Sequence, residues 1–399
     1  MGLNIRRATA EDYDDIVAVD FRNFGVVDKP SDDPLPEGLL DLDRFLVATD
    51  GDDIVATAGS YTVEVTLPGG TTLPMSGVTW VSVSASHRRR GVLRGLMNNL
   101  DELAADFGEP CLGLTASEGA IYERFGYGIA SWRRVIEIDR RRVDIAPDLE
   151  PDHVRLIEAS EHLEELQAIY DRYRLTQPGE ISRPEPLFRE AVIDNKKTNP
   201  AAIHPDGYAI WSIDTNWHNG HPAHALHLKD LIAATPQAHM ALWNLVLSID
   251  LVGPVRSYGA VAPDDPLPYL LDDPRALRTV EMNDGLWLKV SDIARCFEAR
   301  HYRSDGRLVV GITDSLRIGP DATPSETVSI TVDGGRATVA TTDEAPDVVA
   351  TRATLGPLLL GIPASTLAVG NRAIGSEQAL TTADLVMATP RRPHLRTGF

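Results

Sequence analysis

The sequence predicts a mixed α/β protein built from several domains. Strand-like and helix-like patterns alternate along 399 residues, a length typical of two or three domains. Residues 154–162 also echo residues 5–13, because both segments predict a strand, a helix cap, an acidic first turn and an amphipathic helix. We therefore expect mixed sheets flanked by helices, with one folding unit present twice.

The first domain is predicted to open with a strand and a helix. Residues 3–8 indicate the strand, and Thr9 is placed to cap a helix whose first turn is acidic. Antiparallel strands follow at residues 45–48, 53–66 and 71–75, and the last strand of this domain is expected at residues 131–138.

The most informative stretch of the chain covers residues 77–127. Residues 78–83 predict a buried strand, and a turn of Ser, His and Arg residues leads from it to Gly91. From Val92 onwards, apolar residues recur at helical spacing until Gly108-Glu109-Pro110 ends the helix. The pattern therefore predicts a strand, a basic turn and a helix in direct succession.

A second strand and a tyrosine complete this stretch. The strand is predicted at residues 111–116, and Ser117 is expected to begin a short helix that carries Tyr122. Phe125-Gly126-Tyr127 then closes the stretch, with Tyr127 expected to pack as a structural ring.

The basic turn has the chemistry of an anion site. The first amides of a helix lack acceptors within the helix, so phosphate oxygens bind there readily. Arg88, Arg89 and Arg90 add guanidinium groups that match phosphate geometry, and Gly91 allows the backbone to approach closely. On its own, such a turn is more often a solvated basic loop.

The basic turn and the tyrosine segment together indicate a function more specifically than either motif does alone. Arg88-Arg89-Arg90-Gly91-Val92-Leu93, followed by Tyr122-Glu123-Arg124-Phe125-Gly126-Tyr127, resembles the acetyl-CoA site of GNAT superfamily acetyltransferases. Leu93 departs from that signature, which has a small residue there. This variant resembles the enhanced intracellular survival (Eis) family of actinobacterial N-acetyltransferases, and the resemblance covers the whole chain.

The resemblance implies a three-part architecture. Two fused GNAT lobes are expected at residues 1–145 and 150–285, and a sterol carrier protein-like domain at residues 286–399. Only the first lobe is expected to be catalytic, because the second has Ala233-Ala234-Thr235-Pro236-Gln237 where the first has its arginines.

The later domains have strand and helix patterns of their own. In the second lobe, strands are predicted at residues 208–213 and 223–228 and a helix at residues 236–248. The third domain is predicted to contain strands at residues 287–290, 307–314, 326–332 and 336–341, and helices at residues 293–299, 354–360 and 363–369.

The resemblance also implies roles for particular residues. Acetyl-CoA is the expected cosubstrate, held by Val81, Val83, Arg88, Arg89, Gly91, Val92 and Ser117. Tyr122 is expected to assist the departing thiolate, and the terminal carboxylate of Phe399 to accept the proton of the amine.

The acceptor pocket is expected at Asn23, Phe24 and Trp80. Relatives that acetylate aminoglycosides tend to have acidic residues at the positions of Asn23 and Gly398, which weakens the expectation of strong polycation binding.

Composition limits the remaining classes of function. The formal charge of −20 argues against a nucleic-acid partner and mildly favours cationic substrates. Cys111 and Cys296 are far apart and offer neither a disulfide framework nor zinc spacing. Histidines recur at every third position from His218 to His227, which places neighbours on opposite faces of a strand, so no metal site is expected.

We therefore expect an acetyl-CoA-dependent N-acetyltransferase that acts on a small-molecule amine of the aminoglycoside or polyamine type. The alternatives are acetylation of protein lysines and a non-catalytic lipid-binding or structural role for the C-terminal domain. The N-terminus lacks the apolar core of a signal peptide and no run is long enough to span a membrane, so a cytoplasmic protein is expected. The resemblance implies a homo-hexamer.

Overall fold

The computed structural model describes residues 3–26, 35–143, 154–193, 198–319 and 322–399. By its internal contacts the chain separates into two compact units. The first unit comprises Met1–Ala130, Leu286–Thr389 and Phe399, and the second comprises Ser131–Gly285 and Pro390–Gly398. Within the described ranges, no helix has both the length and the apolar character needed to cross a membrane.

In the first segment of the chain, up to Ala130, the described residues form two helices and six strands. The helices are α1 (Tyr13–Phe24) and α2 (Val92–Asp106), and the strands are β1 (Asn4–Arg7), β2 (Phe45–Asp50), β3 (Asp53–Thr66), β4 (Thr72–Val83), β5 (Cys111–Thr115) and β6 (Gly128–Ile129). The apolar face of α2, which includes Leu96, Leu100 and Leu103, is buried as its spacing predicts. Thr9 is the N-cap of a short 3-10 turn directly before α1.

Among its described residues, the middle segment contains three helices and nine strands. The helices are α3 (Leu163–Arg174), α4 (Glu185–Val192) and α5 (Pro236–Ser248). The strands are β7 (Trp132–Asp139), β8 (Arg155–Glu158), β9 (Pro200–His204), β10 (Gly207–Asp214), β11 (Trp217–His218), β12 (His221–Pro222), β13 (His224–Ala233), β14 (Val252–Val261) and β15 (Leu277–Asp284).

The part of the last segment that the structure describes contains four helices and six strands. The helices are α6 (Ile293–Ala299), α7 (Leu355–Leu359), α8 (Ala364–Val369) and α9 (Glu377–Val386). The strands are β16 (Leu286–Val290), β17 (Gly306–Thr313), β18 (Glu326–Asp333), β19 (Arg336–Thr341), β20 (Val348–Thr351) and β21 (Ala373–Gly375). The elements predicted here from the sequence are confirmed, while β20, β21 and α9 were not predicted.

The two large sheets have the same design. The first has the order β1-β2-β3-β4-β5-β16-β6, and the second, from its opposite edge, has the order β8-β9-β10-β13-β14-β7-β15. In each sheet one central pair is parallel, β4 with β5 and β13 with β14, and a helix follows the first strand of that pair. The predicted repeat is therefore confirmed. A third sheet, β19-β18-β17-β20-β21, lies in the last segment.

Two strands lie in a different sheet from the one that the sequence predicts. The strand expected to end the first lobe, β7, pairs with β14 and β15 in the second sheet. The strand expected to open the C-terminal domain, β16, pairs with β5 and β6 in the first sheet. Sequence neighbours usually pair, and the local pattern of a strand does not specify its partner. The predicted boundary between residues 145 and 150 lies outside the described residues.

The two cysteines meet in the core of the first unit despite their distance in sequence. Both are free and fully buried. A hydrogen bond with the Cys296 thiol, together with burial, raises the pKa of the Cys111 thiol well above its usual value. The two thiols come together because α6 packs beside β4 in this unit.

The segment Pro390–Gly398 packs in the core of the second unit through buried polar groups. The Arg183 Nε atom donates to the Thr397 hydroxyl at 2.6 Å, and its Nη1 atom pairs with Asp230 at 2.8 Å. Burial lowers the pKa of His394 to about 3, so this imidazole is neutral at ordinary pH. These contacts hold the segment at Thr397, and the His394 amide donates to the Pro178 carbonyl at 2.9 Å.

Candidate active site

The site begins where two parallel strands of the first sheet diverge. β4 and β5 pair only from Met75–Gly77 to Cys111–Gly113, and β4 then continues without β5 to Val83. A register shift between β3 and β4 lies beside this point, and Trp80 there has a φ angle of 53°. A divergence of this kind leaves main-chain groups of β4 available to a ligand.

A cavity of about 740 Å³ opens beside the diverging part of β4. It is lined by Asn23, Phe24, Val81, Ser82, Val83, His87, Arg88, Arg89, Gly91, Val92, Leu93, Arg94, Ser117, Glu118, Ile121, Tyr122, Arg124 and Phe125. All of the predicted site residues except Trp80 and Phe399 are therefore at this cavity.

The start of α2 provides the basic side of the cavity. Gly91 caps the helix with a φ angle of 83°, a conformation that favours glycine. Arg88 and Arg89 have neither an ion pair nor a hydrogen bond with any residue that the structure describes, so their charges are free for an anion. Arg90 instead pairs with Asp50 at 3.6 Å. The three arginines are therefore not equivalent.

Tyr122 is held in the wall of the cavity. Its side chain is only 4% exposed, and its ring meets that of Tyr127 edge-on with 6.1 Å between centroids. Burial, and then the charge of Glu118, raises the pKa of the Tyr122 phenol, while a hydrogen bond with Ser117 opposes the shift. The phenol is therefore protonated at neutral pH and can donate a hydrogen bond.

The local structure around Tyr122 differs from the prediction. Ser117 does not begin a helix, because residues 117–122 form irregular turns. Tyr122 instead precedes a 3-10 turn, Glu123–Phe125, which Gly126 ends with a φ angle of 89°. The four residues between Ser117 and Tyr122 are too few for a stable helix without an apolar face to bury.

Trp80 lies within an aromatic group rather than at the cavity wall. Its ring stacks on Phe21 and meets Phe45 edge-on, with 6.3 Å between centroids in both pairs. Its Nε1 atom donates to the Tyr61 hydroxyl at 2.9 Å. Trp80 thus connects α1 to the register shift in β4, beside the cavity.

The end of α1 forms another part of the site. Asn23 donates through Nδ2 to the Ser82 hydroxyl at 2.8 Å, and the Phe24 side chain is 52% exposed. Asp20, one turn earlier, was not predicted as a site residue. Its Oδ1 atom is buried without a hydrogen-bond partner among the described residues, and burial raises its pKa to about 6.

Phe399 lies against β4 and β5 in the first unit. Its carbonyl oxygen accepts a hydrogen bond of 2.7 Å from the Thr115 hydroxyl at the end of β5. Its ring approaches Gly77 so closely that a Cβ atom there would lie 3.3 Å from Phe399 Cε2. The sequence does not reveal either contact, because nearly three hundred positions separate the partners.

Further cationic side chains line the cavity beyond those predicted. Arg94 lies in the first turn of α2, and Arg124 lies in the 3-10 turn after Tyr122. The position of Arg94, three residues after Gly91 in the first turn of the predicted helix, was a usable signal for this cation. Glu118 adds one acid. Across the described ranges, no group of three or more His, Cys, Asp or Glu residues could hold a metal ion.

The second unit has a smaller cavity at the equivalent start of α5, of about 270 Å³. Its helix begins with Pro236, which has no N–H group, and the Thr235 hydroxyl accepts from the Ala238 amide at 3.3 Å. Fewer free amides therefore remain than at α2. That this lobe does not bind a pyrophosphate stays a prediction.

Comparison with known families matches three regions of the chain. Residues 4–130 and 179–296 match two models that are each described as an acetyltransferase (GNAT) domain. Residues 293–396 match a sterol carrier protein domain. The predicted fold, with two GNAT lobes and a sterol carrier protein-like domain, is therefore confirmed.

Individual relatives agree with these matches. The chain is 35% identical over 353 residues to the N-acetyltransferase Eis of Mycobacterium tuberculosis (strain ATCC 25177 / H37Ra), covering 84% of each chain. It is 31% identical over 416 residues to an uncharacterized N-acetyltransferase of Streptomyces griseus, covering 98% of this chain and 99% of the relative. The crystal structure of Eis1 from Mycobacterium abscessus matches with a TM-score of 0.87 at 29% identity, over the full length of both chains. The chain belongs to the Eis family of N-acetyltransferases.

Proposed function

We propose that the protein transfers the acetyl group of acetyl-CoA to a primary amine of a small molecule. The observation that carries the proposal is the cavity at the divergence of β4 and β5, which combines free cations at a helix start with a buried phenol. The cations would bind the phosphates of the donor, the diverging part of β4 its pantetheine arm, and the phenol its sulfur.

The start of α2 would hold the pyrophosphate of the donor. The amides of its first turn face outward without helical acceptors, and Arg88 and Arg89 add two unpaired guanidinium groups. Arg94 supplies further positive charge for the remaining phosphate of coenzyme A. Main-chain groups of Val81 and Val83 would pair with the amides of the pantetheine arm.

Tyr122 would stabilise the sulfur as the thiolate departs. An ordinary phenol has a pKa of about 10 and a thiol about 8.5, so complete proton transfer to sulfur costs roughly 2 kcal/mol. Burial raises the pKa of Tyr122 and increases this cost. The phenol therefore acts mainly as a hydrogen-bond donor, and Ser117 orients it.

The carboxylate of Phe399 would accept the proton of the amine. An alkylammonium has a pKa of about 10.4, so a carboxylate cannot remove its proton outright, since the gap is close to 9 kcal/mol. It can accept that proton as the new carbon–nitrogen bond makes the nitrogen acidic. The hydrogen bond from Thr115 would hold the terminus in place.

The acceptor would bind near the end of α1. Asn23 and Phe24 provide polar and aromatic surface there, and Trp80 supports α1 through its stacking on Phe21. Asp20 lies on the same face of α1 as Asn23, three residues earlier, and provides an unpaired carboxyl for a cationic amine. This carboxyl offsets the absence of an acid at Asn23. A hexameric assembly remains a prediction from the resemblance, and a cytoplasmic location remains a prediction from the sequence.

The proposal is tested by thiol release from acetyl-CoA with a panel of amines. The panel contains a small diamine, an aminoglycoside, a lysine peptide and a control without amine. We expect thiol release to require a small amine, with intersecting initial-rate lines because attack is direct. Release that no amine accelerates would refute the proposal, and a preference for the peptide would replace it with protein acetylation.

The substitution Tyr122→Phe tests the role of the phenol. We expect kcat to fall by about 100-fold, because the departing sulfur loses its hydrogen-bond donor, while the dissociation constant for coenzyme A changes by less than about twofold. Tyr127→Phe is the matched control, since its hydroxyl has no hydrogen-bond partner among the described residues. Equal rates for the two variants would contradict the assignment.

Deletion of Phe399 tests the role of the terminal carboxylate. The deletion moves this group by one residue, and we expect kcat to fall by about 100-fold because proton acceptance depends on position. Phe399→Leu retains a terminal carboxylate and an apolar side chain, so it should keep most of the activity. Stopped-flow thiol detection measures both variants, and a fully active deletion variant would exclude this base.

A further inference from the structure

The residue that follows Tyr122 is held by the C-terminal part of the first unit. The Glu123 side chain is 17% exposed and lies against two guanidinium groups. Arg317 pairs with its Oε1 atom at 3.1 Å, and Arg372 pairs with the same oxygen. Both arginines belong to the sterol carrier protein-like domain, and neither was singled out by the sequence pattern.

The two arginines are brought together by the backbone of their own domain. The Ile318 amide donates to the Asn371 carbonyl at 2.8 Å, which places the residues on either side of this bond next to each other. The Arg372 carbonyl in turn accepts from the Thr354 hydroxyl at 2.9 Å. The pair is therefore presented by a hydrogen-bonded framework rather than by two independent loops.

A second contact with the same domain holds the chain just after this turn, at Gly128. A Cβ atom on Gly128 would lie only 1.9 Å from the carbonyl oxygen of Ala353, so only glycine permits this approach. Within the turn, the Phe125 amide donates to the Tyr122 carbonyl at 2.9 Å. The segment from Tyr122 to Gly128 is thus held at both ends.

The two arginines beside Glu123 differ in how far they are shielded from water. Arg372 is 32% exposed and Arg317 is 53% exposed, so Arg372 is the more shielded partner of Glu123. Exposed ion pairs contribute little because water screens them, whereas a partly buried pair with a fixed geometry contributes more. We therefore assign the larger effect to Arg372.

We propose that Arg372, together with Arg317, is a positioning residue. By pairing with Glu123, it keeps the phenol of the neighbouring Tyr122 in a fixed orientation. This inference rests on the proposed function, because it concerns the orientation of the phenol toward the departing sulfur. It gives the C-terminal domain a direct part in turnover.

The mechanism is one of orientation. The peptide unit between Tyr122 and Glu123 connects the phenol to the paired carboxylate, so release of Glu123 allows the turn to rotate. A hydrogen bond to a developing thiolate depends strongly on distance and angle. Binding of coenzyme A depends mainly on α2 and is therefore expected to be unaffected.

The test compares Arg372→Gln, Glu123→Gln and Arg303→Gln in the full-length chain. Arg303 is an exposed arginine of the same domain without an ion pair among the described residues, so it is the matched control. We expect kcat for thiol release to fall by about tenfold in the first two variants and to be unchanged in the control, with coenzyme A affinity unchanged in all three.

A double-mutant cycle separates positioning from general stability. In a Tyr122→Phe background, Arg372→Gln should cause no further loss of kcat, because the group that it positions is already absent. Arg372→Lys, which retains the charge, should recover part of the rate. Glu123→Gln, which keeps the shape of the side chain, provides the test if Arg372→Gln does not fold.

Two results would overturn the inference: a kcat for both Arg372→Gln and Glu123→Gln equal to that of Arg303→Gln, or an equal fractional loss in the Tyr122→Phe background. If Tyr122→Phe itself retained full activity, the proposed function of the phenol would fail first. The two failures are therefore distinguishable within one set of rate measurements.

Discussion

The divergence of β4 from β5 is the constraint on which the rest of the site depends. Once their pairing stops after Gly77, the backbone of β4 has no neighbour on one side, and the chain must either pair it or leave it to a ligand. The turn that carries the arginines begins after the register shift at Trp80 and ends at Gly91, which has a left-handed conformation. The free guanidinium groups of Arg88 and Arg89 lie on that turn.

The second unit repeats this divergence without its charge. β13 and β14 form the same parallel pair, and α5 follows β13 as α2 follows β4. The turn at its start contains Pro236 instead of arginine and glycine. β7, expected in the first lobe, lies in the second sheet, and β16, expected in the C-terminal domain, lies in the first sheet. The repeat thus retains the architecture, while the residues at the start of the helix differ.

The sequence predicted the parts of the site that depend on local pattern. The position of α2, the glycine at its start and the tyrosine one strand later are all readable from neighbouring residues. Long-range partners are not, since pairing of β16 or contact of Phe399 with Thr115 depends on tertiary packing. The φ angle of Trp80 and the ion pairs of Glu123 also depend on tertiary packing and are not readable from neighbouring residues.

The central claim is that the free arginines at the start of α2 bind the phosphates of coenzyme A. Calorimetric titration of coenzyme A into the wild-type chain, Arg88→Gln and Arg90→Gln tests it most directly, because Arg90 already pairs with Asp50. We expect Arg88→Gln to weaken binding by about 10- to 100-fold, as loss of a charge-assisted hydrogen bond predicts, and Arg90→Gln to bind as the wild type does. Absence of binding by the wild type, or equal weakening in both variants, would contradict the claim.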